Sequence, residues 1–234
     1  TVVVAGREAG PLDGAEYVLR TVPGEPSQAH TVSYTCAIAL LALLASAIGN
    51  DEEIAHSIDA IPDQLARLLG QESWPEMAAR FAGKRRYFIV GAGSDTATAL
   101  EAALKISETG YLVASGFQCD EFLHGAWVAM EAADLLILVA LPGPGYDRCL
   151  DAGRAAREIG TPLLALVAEG DRRFDGLAAE TIEIPEVHEL LAPILTVVPI
   201  QLLTYHWALR RGANPDVMRA NEPTYARAHA ALIR

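Results

Sequence analysis

The run Asp134–Leu141 (DLLILVAL) constrains the fold more than any other stretch of this chain. It has the length of a strand, and its apolar residues do not alternate with polar ones. A strand wetted on one face alternates with period two. A strand covered on both faces does not, and two-sided cover is the condition of a parallel sheet between helical layers. The flanking signals agree. Strands are expected over Tyr87–Val90, Tyr111–Ser115, Asp134–Leu141, Pro162–Val167 and Thr181–Ile184. Helices are expected around Ala97–Glu108 with Gly110 as the stop, and over Glu121–Ala132, Arg148–Ile159 and Glu186–Arg211. Strictly alternating elements of this kind give an α/β fold with an open, doubly wound five-stranded parallel sheet, flavodoxin-like in kind.

The first third of the chain reads differently. Thr1–Ala5 and Glu16–Val22 read as strands, and Thr31–Gly49 as an apolar helix stopped by Gly49-Asn50. Residues 51–85 carry helical periodicity through Ile54, Ile58, Ile61, Leu65, Leu68 and Leu69. Two strands and one helix leave a sheet with a long uncovered edge. The expected organisation is therefore residues 1–50 as the C-terminal part of a first α/β domain whose leading part is absent, 51–85 as a helical linker and 86–234 as a second domain.

Composition narrows the function. Apolar residues make up 51% of the chain and aromatics 6%, so aliphatic side chains fill the core. The net charge of −12 and the lack of any basic run beyond Lys84-Arg85-Arg86 exclude the phosphate-neutralising stripe that nucleic acid demands. Cys36, Cys119 and Cys149 are odd in number and form no CxxC, which suggests neither a disulfide framework nor a zinc ribbon. His30, His56, His188, His206 and His229 show no metal-ligand spacing, so no metal is expected, and no cofactor either. The apolar run Ala37–Ile48 is short of the ~20 residues that cross a bilayer, and Leu190–Leu209 is broken by Pro193, Pro199, Gln201 and His206. A soluble cytoplasmic protein without nucleic-acid or membrane partners is expected.

Two lysines, Lys84 and Lys105, stand against sixteen arginines. Lys105 lies within an apolar helical stretch, with Glu101 and Glu108 at i−4 and i+3 on its face. The same spacing suits a solvated salt-bridge stripe. It also suits a compact, titratable ammonium held for proton-transfer chemistry. His124 opens the next apolar segment, EFLHGAWVAM, where a histidine serves equally as a structural residue. Gly91-Ala-Gly-Ser94-Asp95 joins a strand to a helix, but Thr96 stands where a dinucleotide fingerprint has its third glycine. A tight turn with Ser94 or Asp95 as N-cap fits, as does a place near a phosphosugar.

Leu100–Gly125 (LEAALKISETGYLVASGFQCDEFLHG) resembles the second SIS (sugar isomerase) domain in the isomerase half of the glucosamine-6-phosphate synthases, where the pattern is LExALKLKExxYxxAxxxxxxExxHG. Pro185–Leu209 resembles the family's closing helix, with its xAPIxxxxPxQLxxYxxA core. Gly24–Thr35 resembles the family's GPEIxVASTKAYT-like end of the first SIS domain. The resemblance implies an SIS fold, with Lys105, Glu108 and His124 catalytic and Glu25, Gln28 and His30 lining the sugar site. It also implies a homodimer with a shared active site, because His124 enters the pocket of the neighbouring subunit.

Two departures qualify it. The Ser/Thr-rich phosphate loop of the first SIS domain has no counterpart here. Pro223 stands where the synthases carry a Schiff-base lysine, although the tail Asn214–Tyr225 is otherwise comparable. The implied activity is therefore isomerisation, deamination or deglycation of a sugar phosphate through an enediol or enaminol. Glu108 is expected as the base in a partly buried site, Lys105 as the group that positions it and stabilises oxyanion charge, and His124 as the ring-opening catalyst. A sugar-phosphate sensor that binds without reacting is the competing expectation.

Overall fold

A computed structural model describes residues 1–6, 14–22 and 24–232. Its larger sheet comprises β3 (Tyr87–Gly91), β4 (Ala114–Gln118), β5 (Leu135–Ala140), β6 (Leu163–Ala168) and β7 (Glu180–Ile184). All neighbours are parallel, in the order β4-β3-β5-β6-β7. This is the doubly wound arrangement expected from the alternation. The order reverses between β3 and β5, which makes their C-terminal ends the topological switch point.

Alternation along the buried strands sorts the core into two layers. Tyr87, Ile89, Leu135, Ile137, Val139, Leu164 and Leu166 face α2 (Glu52–Leu69), α3 (Trp74–Phe81), α4 (Asp95–Gly110) and α7 (Ala192–Arg210). Phe88, Val90, Leu136, Leu138, Ala140, Leu163 and Ala165 face α5 (Cys119–Leu123) and α6 (Tyr146–Ile159). The indole of Trp207 ties α7 to α3 by donating to the Ala78 carbonyl at 2.8 Å.

Residues 1–50 hold a separate two-stranded parallel sheet, β1 (Val2–Ala5) with β2 (Tyr17–Arg20), and α1 (Val32–Gly49). Among the described residues of this part, only Ala29, Ala42 and Ser46 are buried, so it has no closed core of its own. Helix α1 matches the helix expected over Thr31–Gly49, and at 18 residues it is longer than the apolar run Ala37–Ile48. By length and composition both α1 and the Glu189–Arg210 segment are apolar enough to cross a membrane, and the latter is mostly buried as the domain's core helix. A last helix, α8 (Pro223–Leu232), starts on the proline of the tail, a residue suited to a first helical turn.

Three local expectations are corrected. Gly110 does not stop α4; the helix runs through it, and Tyr111 takes the left-handed conformation at φ 53°. The Arg219 guanidinium over the Tyr111 ring, 5.0 Å from its centroid, braces that turn. The strand expected at Tyr111–Ser115 consequently begins at Ala114. The helix expected over Glu121–Ala132 is instead the five-residue α5, capped by the Gln118 side chain, which accepts from the Glu121 N–H at 3.0 Å. It ends at His124, Gly125 is extended, and a 3₁₀ turn covers Ala126–Ala129.

Helix α4 lies close upon β4 because Gly116 has no side chain. A Cβ there would stand 2.4 Å from the Ala99 carbonyl oxygen and 2.8 Å from Leu100 Cα. Both contacts are backbone, so neither can rotate away. Gly116→Ala is expected to destabilise the domain by about 1–3 kcal/mol through overpacking, measured by urea unfolding; an unchanged midpoint would show that α4 has room to move.

Candidate active site

Helix α4 presents Lys105 between two carboxylates. Lys105 Nζ is 2.6 Å from Glu108 Oε1 and 3.1 Å from Glu101 Oε1. The three side chains are 5%, 10% and 13% exposed respectively. A solvated stripe would be wet; this cluster is not. Removing charges from water is costly even when they are paired, so the cluster is a weak source of stability.

Lys105 and Thr109 line a pocket of about 200 Å³. The facing wall is α7, through Gln201, Thr204 and Tyr205, and the rim is Ser27, Ala29 and Thr31 with Pro215 and Asp216 of the tail. A backbone bond from Gln28 N–H to the Asp216 carbonyl, 2.9 Å, joins rim to tail. Arg219 orders the tail further: it pairs with Glu222 at 2.7 Å and lies over the Tyr225 ring. Pro223 opens α8 and supplies no amine.

The sequence-derived rim residues sit as follows. Gln28 and His30 are exposed, and His30 Nδ1 is hydrogen-bonded to Ser33 Oγ at 3.1 Å. The alternate residues Ser27, Ala29 and Thr31 are the ones on the pocket wall. Glu25 caps α1. Its carboxylate accepts from the N–H groups of Thr31, Val32 and Ser33 at 2.8–3.0 Å, and from the hydroxyls of Thr31 and Ser33. Partial burial pushes this carboxyl up, but the bonds from Ser33, Thr31 and Val32 outweigh it and hold it at about 2.

Ser94 lies elsewhere. Its hydroxyl donates to the Glu189 carbonyl at 2.7 Å, on the wall of a larger cleft of about 700 Å³ at the switch point. That cleft is acidic, with Asp95, Asp120, Glu169, Glu186 and Glu189 around it. The Glu189 carboxylate overhangs the turn, 2.9 Å from where a Gly93 Cβ would stand. Asp95 is buried; burial pushes its carboxyl up to about 6, against hydrogen bonds from Thr196 and Thr98. Ser94 and Lys105 thus occupy opposite ends of α4 and two different cavities.

His124 does not join the cluster within one chain. It caps α5 two residues after Phe122, which packs on Phe88 and Phe117 in the α5–α6 layer, whereas Lys105 and Glu108 belong to the α4–α7 layer. His124 is exposed. Sequence reasoning missed Gln201 and Thr204. The signal was a polar pair inside the apolar Leu190–Leu209 run.

The family model of the SIS domain matches residues 80–211. The chain belongs to the SIS domain family. It is 34% identical over 173 residues to the glutamine–fructose-6-phosphate aminotransferase (isomerizing) of Thermosynechococcus vestitus, a match covering 71% of this chain and 27% of that protein. It is 30% identical over 205 residues to the enzyme so named from Methanothermobacter thermautotrophicus, covering 86% and 35%. The chain spans about a third of the length of these relatives. Among solved structures, the tagatose-6-phosphate ketose/aldose isomerase of Escherichia coli superposes with a TM-score of 0.78 at 20% identity, over 93% of this chain and 62% of that one. The C-terminal domain of glucosamine-fructose-6-phosphate aminotransferase from Francisella tularensis gives 0.77 at 21%, over 88% and 61%. These two share the fold.

The Glu25 cap has a pH signature. Its folded-state carboxyl lies at about 2, below the ordinary 4.5. The stabilisation is therefore complete above 4.5 and is lost as pH falls through about 2. Glu25→Ala should weaken the start of α1 by about 1–2 kcal/mol at neutral pH, read as faster hydrogen exchange of the α1 amides, and should erase the acid dependence in that window. Unchanged exchange would show that the cap is dispensable.

Proposed function

We propose that this protein is a phosphosugar isomerase or deaminase that moves a proton between adjacent carbons of an open-chain sugar or aminosugar phosphate. The observation that carries this reading is the Lys105 centre: a desolvated carboxylate, Glu108, 2.6 Å from an ammonium that lines a pocket shared with Gln201, Thr204 and the tail. The Glu108 carboxylate takes the proton from the carbon beside a carbonyl or imine. The C–H electron pair forms the C=C bond of an enediol or enaminol, and the carbonyl π pair moves onto oxygen or nitrogen. Lys105 stabilises the charge developing there. The proton of the hydroxyl on the deprotonated carbon passes to that oxygen or nitrogen, its O–H pair forming the new C=O, while the C=C pair takes the proton back from Glu108 at the neighbouring carbon. Glu101 holds the ammonium from the side opposite Glu108. Fructose 6-phosphate, tagatose 6-phosphate and glucosamine 6-phosphate are the substrates to try, by likeness to the relatives and structures named above. Amino transfer from glutamine is not part of the proposal, because Pro223 stands where the resemblance places the amine.

The proposal includes a homodimer. His124 of a second copy completes the site and opens the sugar ring. The support is the separation of His124 from Lys105 across the sheet, together with the exposed apolar character of its segment, where Val128 is 69% exposed. Closed two-fold pairs are the commonest way to cover such a surface.

In the complete protein, Glu108→Gln should lower turnover by about 10²–10⁴-fold while leaving sugar-phosphate binding within a few-fold, because the amide keeps shape but accepts no proton. Incorporation of solvent deuterium at the carbon-bound position, followed by NMR, reads the step directly. Exchange at the wild-type rate would remove Glu108 from the mechanism.

The shared site has its own test. Glu108→Gln and His124→Ala chains, each inactive alone, are co-refolded. Random pairing gives heterodimers with one intact site, so about a quarter of wild-type activity should return. No recovery would place His124 outside the site.

A further inference from the structure

Among the described residues, four threonines are buried within helices: Thr98, Thr109, Thr196 and Thr204. A hydroxyl in that setting bonds a neighbouring side chain or the carbonyl one turn back. Three do so. Thr109 Oγ1 donates to the Lys105 carbonyl at 2.8 Å, Thr196 Oγ1 donates to Asp95 Oδ1 at 2.7 Å, and Thr98 bonds both Asp95 and Thr196. Thr204, 2% exposed, is the exception: its Oγ1 has no partner. Three residues earlier on α7, Gln201 Nε2 is also buried and unpartnered. The i, i+3 spacing puts both on one face of the helix, and both residues line the Lys105 pocket. Buried polar atoms are nearly always satisfied, and one left unsatisfied destabilises the fold. Among the described residues, five buried side-chain atoms lack a partner, and these two are the ones whose residues share the wall of the Lys105 pocket, where a ligand can supply the partners.

We propose that Gln201 and Thr204 are substrate-positioning and specificity residues: the Gln201 amide donates to one oxygen of an open-chain sugar phosphate, and the Thr204 hydroxyl exchanges a hydrogen bond with another. This rests on the sugar-phosphate reading above and extends it to the wall opposite Lys105. The chemistry of the pair selects the hydroxylated stretch of the substrate. A neutral donor beside a hydroxyl that both donates and accepts matches neighbouring oxygens of a polyol chain. The phosphate is disfavoured here, because the one ammonium is already shared by Glu101 and Glu108 and Asp216 stands at the rim. A site built to hydrogen-bond substrate hydroxyls rejects analogues that lack them far more strongly than an apolar pocket can.

The test uses Thr204→Val and Gln201→Met in the complete protein, each close in size and without the polar atom. Without ligand, both variants should melt at or above the wild-type temperature, since each deletes an unsatisfied buried group. Binding of fructose 6-phosphate, tagatose 6-phosphate and glucosamine 6-phosphate is measured by calorimetry. The sugar that wild type binds should bind roughly tenfold more weakly to each variant, with KM raised and kcat within about twofold. A clear fall in the unliganded melting temperature of both variants would show structural partners and overturn the proposal. Unchanged affinity in both, with Glu108→Gln still abolishing turnover, overturns this inference alone. If wild type binds none of the three sugars, this inference and the reading beneath it fail together.

Discussion

Two-sided burial of the central strands is the constraint on which the rest of the molecule depends. Every residue of β3 and β5 is buried. Strands without a wet face need a helical layer on each side, and parallel strands so covered must be joined by crossover helices that run back along them. Helix α4 is one such crossover. Its start is therefore fixed at the C-terminal edge of the sheet and its end at the opposite edge. Lys105 and Glu108 near its end are thereby separated from the switch-point cleft, and from His124, which belongs to the other layer. The dimeric site proposed here follows from that separation.

The Lys105 cluster shows how closely packing and chemistry are linked. Gly116 allows α4 to lie on β4, and α7 closes over α4 from outside. Between them the ammonium and its two carboxylates lose nearly all contact with water. Water screens these charges less than it would on an exposed helix face. The same packing leaves Gln201 Nε2 and Thr204 Oγ1 unpaired on the facing wall, a local conflict of the kind expected at a functional site.

Two cavities among the described residues have opposite designs. The switch-point cleft is the larger and occupies the position where open α/β sheets bind ligands. Its own Glu189 carboxylate overhangs the turn that starts α4, where the helix N-terminus would otherwise attract an anion. The smaller pocket, at the far end of the same helix, holds the ammonium, the docked tail and the unpaired polar atoms. Size and topology favour the first cavity as a site; chemistry favours the second, and chemistry decides what can react.

How much of this was legible in the sequence depends on the range over which each feature is determined. The strands of the main sheet and the helix bearing Lys105 are written in local periodicity, and the apolar run at β5 by itself demanded a parallel, doubly covered sheet. The spacing of Glu101, Lys105 and Glu108 put them on one helix face, but burial by α7 is what distinguishes a desolvated centre from a wet stripe, and burial is not local. The tail's grip on Tyr111 moved the end of α4 and the start of β4, because a contact with Arg219, more than one hundred residues away, outweighed the glycine signal at Gly110. Strand and helix patterns could not show that Ser27, Ala29 and Thr31, rather than their neighbours Gln28 and His30, form the pocket wall, since that depends on how a loop docks against α4 and α7. The sequence by itself determined the elements, their order and the residue types available for proton transfer. Tertiary structure alone decided which of them share a water-poor pocket, because desolvation and partnering are properties of what surrounds a group.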